Sequence, residues 1–157
     1  RNGARTLDAR TTFFYLSTDL DSTLTSDAHG VGSKSSFLAT DSTGAYLDGA
    51  KSYTVTLPPE VPAAEGWSMV AYDPQTRSML QAPGTPRPSV VSSSPGLVQN
   101  LDGSTTIYFG PEPPAGREGN WIQTVRGKGW FLVLRLGGPL KAWFSGQWRP
   151  GEAILNP

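Results

Sequence analysis

The sequence predicts a mainly β protein, an antiparallel β-sandwich of jelly-roll type, and three observations carry that reading. Short runs rich in β-branched and aromatic residues recur along the chain, such as 51–57, 67–72, 104–109 and 130–136. Prolines and glycines fall between those runs: 18 glycines and 14 prolines in 157 residues punctuate strands rather than dilute a disordered tract. Helical periodicity is confined to one N-terminal stretch and one short C-terminal turn.

The N-terminal stretch, residues 6–24, reads as a helix. Thr6 can cap it, Asp8 lies in its first turn where the helix dipole favours a carboxylate, and Leu7, Phe13, Phe14, Leu16 and Leu20 cover one broad side. Residues 27–36 read as loop, and the sandwich is expected to occupy residues 25–157 of a single domain. Two turns, Asp41-Ser42-Thr43-Gly44 and Asp48-Gly49, bracket Tyr46 and Leu47 closely enough to imply a hairpin.

Lys51 to Leu57 alternates, with Tyr53, Val55 and Leu57 on one face and Ser52, Thr54 and Thr56 on the other, until Pro58-Pro59 ends it. Trp67 to Tyr72 forms the next strand, closed by Asp73-Pro74, and Ser78-Met79-Leu80 reads as a short return. Residues 82–96 carry Pro83, Pro86, Pro88, Pro95 and several serines, so neither a central strand nor a helix fits there. A connection of this length suits a lid, a binding loop or an interface arm. Asn100-Leu101-Asp102-Gly103 turns the chain into a strand ending at Phe109.

The run Trp130 to Leu136, fenced by Gly129 and Gly137, suits a strand buried on both faces. Pro139 to Phe144 reads as one helical turn with proline at its first position, and Trp148-Arg149-Pro150-Gly151 as a tight turn.

Composition narrows the function classes. With 13 basic and 13 acidic residues the formal charge is zero, which argues against a general nucleic-acid binder. The C-terminal part from residue 115 is locally basic, with Arg117, Arg126, Lys128, Arg135, Lys141 and Arg149 against Glu118 and Glu152. There are no cysteines, so disulfides, thiolate metal sites and cysteine nucleophiles are excluded, and the compartment stays open. No apolar run reaches the ~18 residues that a membrane-spanning helix needs. The opening Arg1-Asn2-Gly3, without an initiator Met, reads as a processed chain or a fragment.

Seven separated blocks resemble the family catalogued as domain of unknown function 1214. They are Asp48 to Tyr53 with Leu57-Pro58-Pro59, Tyr72-Asp73 with Thr76 to Leu80, Asp102-Gly103-Ser104, Tyr108 to Pro111, Asn120 to Thr124, Gly127 to Phe131, and Trp148 to Glu152. The resemblance implies a jelly-roll sandwich that usually follows a second module, domain of unknown function 1254, in mostly bacterial proteins, and it implies no activity. Family members commonly read Arg-Leu-Tyr-Gly-Pro-Leu where this chain has Arg135-Leu136-Gly137-Gly138-Pro139-Leu140, so the missing ring is expected to open space or flexibility beside the strand. Residues 21–35 also depart from the family wording.

No residue set spells out a reaction. His29, the single histidine, lies in a loop without a second imidazole or a nucleophile elbow, and reads as an exposed loop residue. No metal site and no cofactor are indicated, because Asp41 to Asp48 lacks the acidic density of a calcium loop. Carboxylates such as Asp73, Asp102, Glu112 and Glu118 are too scattered to define a glycosidase pair. Trp121 and Tyr72, at strand ends beside polar residues, are candidate platforms for a sugar ring. Asp73, Arg77, Gln123, Arg126, Lys128 and Arg135 are candidates to bind a small anion. Arg135, embedded in an apolar strand, requires a carboxylate or carbonyls to be tolerated. The reading is a non-catalytic ligand-binding or assembly module, with self-association through the Pro/Ser arm or a second module as partner. The competing reading is part of a hydrolase or lyase on a small polar or sugar-like substrate, its site shared with that module.

Overall fold

The computed structural model describes residues 28–82 and 88–156, so the expected helix over 6–24 and the middle of the Pro/Ser connection lie outside the described residues. Eight strands form in chain order: β1 (Ser33–Leu38), β2 (Tyr53–Leu57), β3 (Trp67–Tyr72), β4 (Ser89–Val91), β5 (Thr105–Gly110), β6 (Trp121–Gln123), β7 (Phe131–Gly137) and β8 (Ile154–Leu155). They make two four-stranded sheets, ordered β1-β7-β3-β4 and β6-β5-β2-β8. Pairing is antiparallel except between β5 and β6, which run parallel, a departure from the strictly antiparallel expectation. Helix among the described residues is confined to a 3-10 turn (Glu118–Asn120) and α1 (Lys141–Phe144).

Alternation works as the sequence suggests in β2, β3 and β5. Tyr53, Val55 and Leu57, Trp67, Met69 and Ala71, and Ile107 and Phe109 turn inward, while their neighbours stay half-exposed. Side chains from both sheets meet in one apolar cluster that includes Val55, Ile107, Met69 and Leu134. Trp130 stacks on Phe109 at 4.8 Å between ring centroids and meets Tyr53 nearly edge-on at 5.9 Å.

β7 corrects one expectation. Only Leu132, Leu134 and Leu136 are buried; Phe131 and Val133 are half-exposed and Arg135 is exposed. The run reads as uniformly apolar because its outer face is also partly covered, Phe131 stacking on its cross-strand neighbour Tyr72 at 5.4 Å. Arg135 stands on that outer face between Ser35 and Ser68, so it needs no buried partner.

Other departures are local. Ser89–Val91 forms an edge strand on β3 within the stretch read as a connection. Lys141, not Pro139, is the first residue of α1, with Leu140 as its N-cap. The turn expected at Trp148-Arg149-Pro150-Gly151 is displaced to Ser145-Gly146, and Gly151 instead donates its N–H to Thr56 O at 2.9 Å. No space opens at residue 137, because a Cβ there would lie 3.0 Å from Glu65 Cβ. The expected turns are present at Asp41–Gly44 and Asn100–Gly103, each closed by a backbone hydrogen bond. The hairpin expected at residues 41–49 is a single bridge across the first turn, Thr40 to Tyr46.

The second sheet is stapled by Asn120, which is fully buried. Its Oδ1 accepts from Val98 N–H at 2.8 Å, and its Nδ2 donates to Val98 O and Thr106 O, both at 2.8 Å. A side-chain amide here substitutes for missing strand pairing, and each group it satisfies would otherwise be costly to bury. Two substitutions should therefore be comparably destabilising for different reasons. Leu134→Ala leaves a core cavity and Asn120→Ala orphans three backbone groups, each lowering unfolding free energy by about 3 kcal/mol in chemical denaturation.

Candidate functional site

A concavity lies where the two sheets part beside β1. It is a cleft of about 470 Å³ whose floor is Leu38 of β1, Val55 of β2, Met69 of β3, and Leu132 and Leu134 of β7. These are core positions, so the cleft reaches between the sheets rather than lying on them. Trp143 and Phe144 of α1 and the segment 148–152 wall it, and Ser35, Ser36, Ser145, Arg149 and Glu152 add polar groups.

The local structure explains why this side stays open. β1 is the outer strand of its sheet, and its positions opposite Leu136 and Leu134 are Lys34 and Ser36, so a cation and a small hydroxyl occupy inward-facing sites. Beyond β1 the chain is stitched to the C-terminal strand region by an Asp41–Ala153 bridge and a Ser42 N–H to Ala153 O bond of 2.9 Å. Trp148 fixes the wall: its indole N–H is shared between Pro58 O at 3.3 Å and Pro59 O at 3.2 Å, and its backbone N–H reaches Ala142 O at 3.1 Å. Trp143 lies against Trp148 at 6.3 Å. Phe144 is flanked by the His29 ring at 5.0 Å and by Lys34 Nζ at 5.6 Å from its centroid.

The residues singled out in the sequence fall in two groups elsewhere. Asp73 is buried at a turn, its carboxylate accepting from the N–H groups of Gln75 and Thr76 at 2.8 and 3.2 Å and from Lys128 Nζ at 3.1 Å. The Gln75 N–H foremost, then Lys128 and the Thr76 N–H, hold its pKa below the ordinary 3.8. Tyr72 leads into that turn and Arg77 leaves it, exposed and with a positive φ of 58°. Trp121, Gln123 and Arg126 gather instead over the 110–112 segment. The Trp121 indole N–H donates to Gly110 O at 3.1 Å, Gln123 Nε2 to Pro111 O at 3.3 Å, and Arg126 meets exposed Glu112 at 3.4 Å. Trp121 also lines a shallow depression of about 160 Å³ with Tyr108, Pro113 and Pro114. Arg135 joins neither group. None of these eight residues lines the larger cleft.

Sequence reasoning missed the cleft because its lining comes from five separate segments. One signal was present: Trp148 to Glu152 is a recognisable block with both a cation and a carboxylate, but its Pro-Gly pair reads as a turn. Among the described residues no three His, Asp or Glu side chains cluster as a metal site would need, and no helix is long and apolar enough to cross a membrane.

The family described as protein of unknown function (DUF1214) matches residues 33–141, from the first strand into α1. The chain belongs to the DUF1214 family. Among solved structures, the DUF1214 chain is similar to the VPA0106 protein from Vibrio parahaemolyticus, with a TM-score of 0.69 and 21% identity over 81% of this chain and 31% of that one. An uncharacterised protein from Burkholderia cenocepacia matches with a TM-score of 0.43 and 16% identity over 90% of this chain and 36% of that one. The chain thus spans about a third of the length of these structures. A comparison with curated proteins returned no match.

Asp41 and Asp102 are held below 3.8 chiefly by the hydroxyls of Thr43 and Ser104, as turn caps like Asp73. A lowered folded pKa contributes stability that is complete above the unfolded value and is lost as pH falls through the folded one. The urea midpoint should therefore hold from neutral pH down to about 3.8 and drop below it. Asp73→Asn, which keeps the turn-capping oxygen and loses the charge, should make that acid limb shallower.

Proposed function

We propose that this chain is a non-catalytic small-molecule-binding module whose ligand enters the cleft between the sheets. The observation that carries the reading is an accessible cleft of about 470 Å³ with a floor of core side chains and polar groups around it. That size and lining are those of ligand sites, in which apolar walls supply affinity and a few polar groups orient the ligand. A binding role is further supported by how the carboxylates are used, since Asp41, Asp73 and Asp102 are each engaged in capping a turn. The second module belongs to the same reading and is supported by the length of the VPA0106 protein, of which this chain covers 31%. The jelly-roll form is supported by a chain that changes sheet at each step from β1 to β3.

A second reading is favoured by one observation. Tyr108 and Trp121 are paired across the parallel strands and both half-exposed, beside Pro113 and Pro114, which makes a platform on which a sugar ring could stack. Tryptophan quenching by an oligosaccharide panel, abolished in Trp121→Ala, would establish it; no quenching by any sugar would remove it.

For the cleft, octanol serves as a neutral probe. Methyl resonances of Leu38, Val55, Met69, Leu132 and Leu134 should shift together on its addition. Ser36→Phe, which places a ring at the inward position facing Leu134, should abolish those shifts while leaving unfolding cooperative. Methyls that stay put in the unsubstituted protein would overturn the reading.

A further inference from the structure

We infer that the cleft selects an amphipathic anion, an apolar chain or ring seated between the sheets with its carboxylate or phosphate head on Arg149. This rests on the cleft being a ligand site, and adds the chemical class of the ligand. Arg149 and Glu152 are the charged side chains in the lining, and both are exposed at the solvent side. Among the described residues Arg149 makes neither an ion pair nor a side-chain hydrogen bond, and it is not paired with Glu152.

The backbone that carries Arg149 is held on both sides by its neighbours in the chain. Trp148 before it is pinned through its indole to Pro58 and Pro59, Pro150 after it restricts the backbone, and Gly151 bonds to Thr56 O at 2.9 Å. Gly146 makes room for it: a Cβ there would sit 3.0 Å from one terminal nitrogen of Arg149. A guanidinium beside an apolar cavity, without a partner among the described residues, presents a donor fork that matches a carboxylate or phosphate in two-point geometry. Lys34 Nζ lies 5.6 Å from the centroid of Phe144, whose ring walls the cleft.

Three probes with the same tail separate the contributions: octanol, octanoate and octyl phosphate, titrated below their micellar concentrations and followed by the cleft methyls. The unsubstituted protein should bind at least one of the anions about tenfold more tightly than octanol, the size of one charge-assisted contact. Whichever anion gains more identifies the head group. Arg149→Gln should bring that anion down to the octanol level without changing octanol, and Arg149→Lys should fall between, keeping charge and losing the fork. Added salt should weaken the anion and spare octanol, a readout that stands even if a variant folds poorly. Equal binding of all three probes, unmoved by Arg149→Gln and by salt, overturns the anion assignment and leaves the cleft as a neutral apolar site. If octanol does not bind at all, the cleft reading fails and this inference with it.

Discussion

The described structure depends on the position of β7, which is hydrogen-bonded along its length to β1 on one side and to β3 on the other. A strand paired on both edges has no freedom to slip, because a shift of one residue would turn Leu132, Leu134 and Leu136 outward and bring Phe131, Val133 and Arg135 in. Its register thereby fixes the faces of its neighbours. Met69 lies opposite Leu134 on β3 and joins the core, while Ser36 lies opposite the same residue on β1 and borders the cleft. The contents of the core and the location of the opening thus follow from one ladder.

Much of this was legible because period-two alternation is a local property. In Tyr53 to Leu57 and Thr105 to Phe109 the outward residues are mostly threonines, and a half-buried strand can be read directly. β7 was harder, since a sheet whose outer face carries a Tyr72–Phe131 stack shows no polar beat to the reader, and Arg135 then looks buried when it is merely flanked by apolar residues. The parallel pairing of β5 with β6 was not legible either. It depends on Asn120, whose amide ties residue 98 to residue 106, a contact that sequence spacing does not announce.

The candidate site was less legible than the fold for a related reason. Asp73 and Lys128 are brought within 3.1 Å, yet that carboxylate is engaged by its own turn, so nearness in space alone does not make it a binding group. The cleft has the opposite character. Leu38, Val55, Met69, Leu132 and Leu134 look like ordinary core residues in the sequence, and only the three-dimensional arrangement shows that they also floor a cleft.

An opening of this kind works against stability. Apolar side chains that line unfilled space forgo contacts they would make in a closed core, and the loss grows with the volume left empty. A longer apolar residue at position 36 would reach inward toward Leu134 and shorten the cleft, yet the chain has serine there and lysine two residues earlier, on an edge strand where polar inward positions also discourage pairing with another chain. Edge protection accounts for the lysine, but it does not account for a wall in which Trp148 is held by two carbonyls and Gly151 by a third, leaving Arg149 without a partner among the described residues. Among the described residues this side of the sandwich is thus held by bonds of its own wall segments while the sheets stay parted beside β1, and the proposed binding reading rests on that combination.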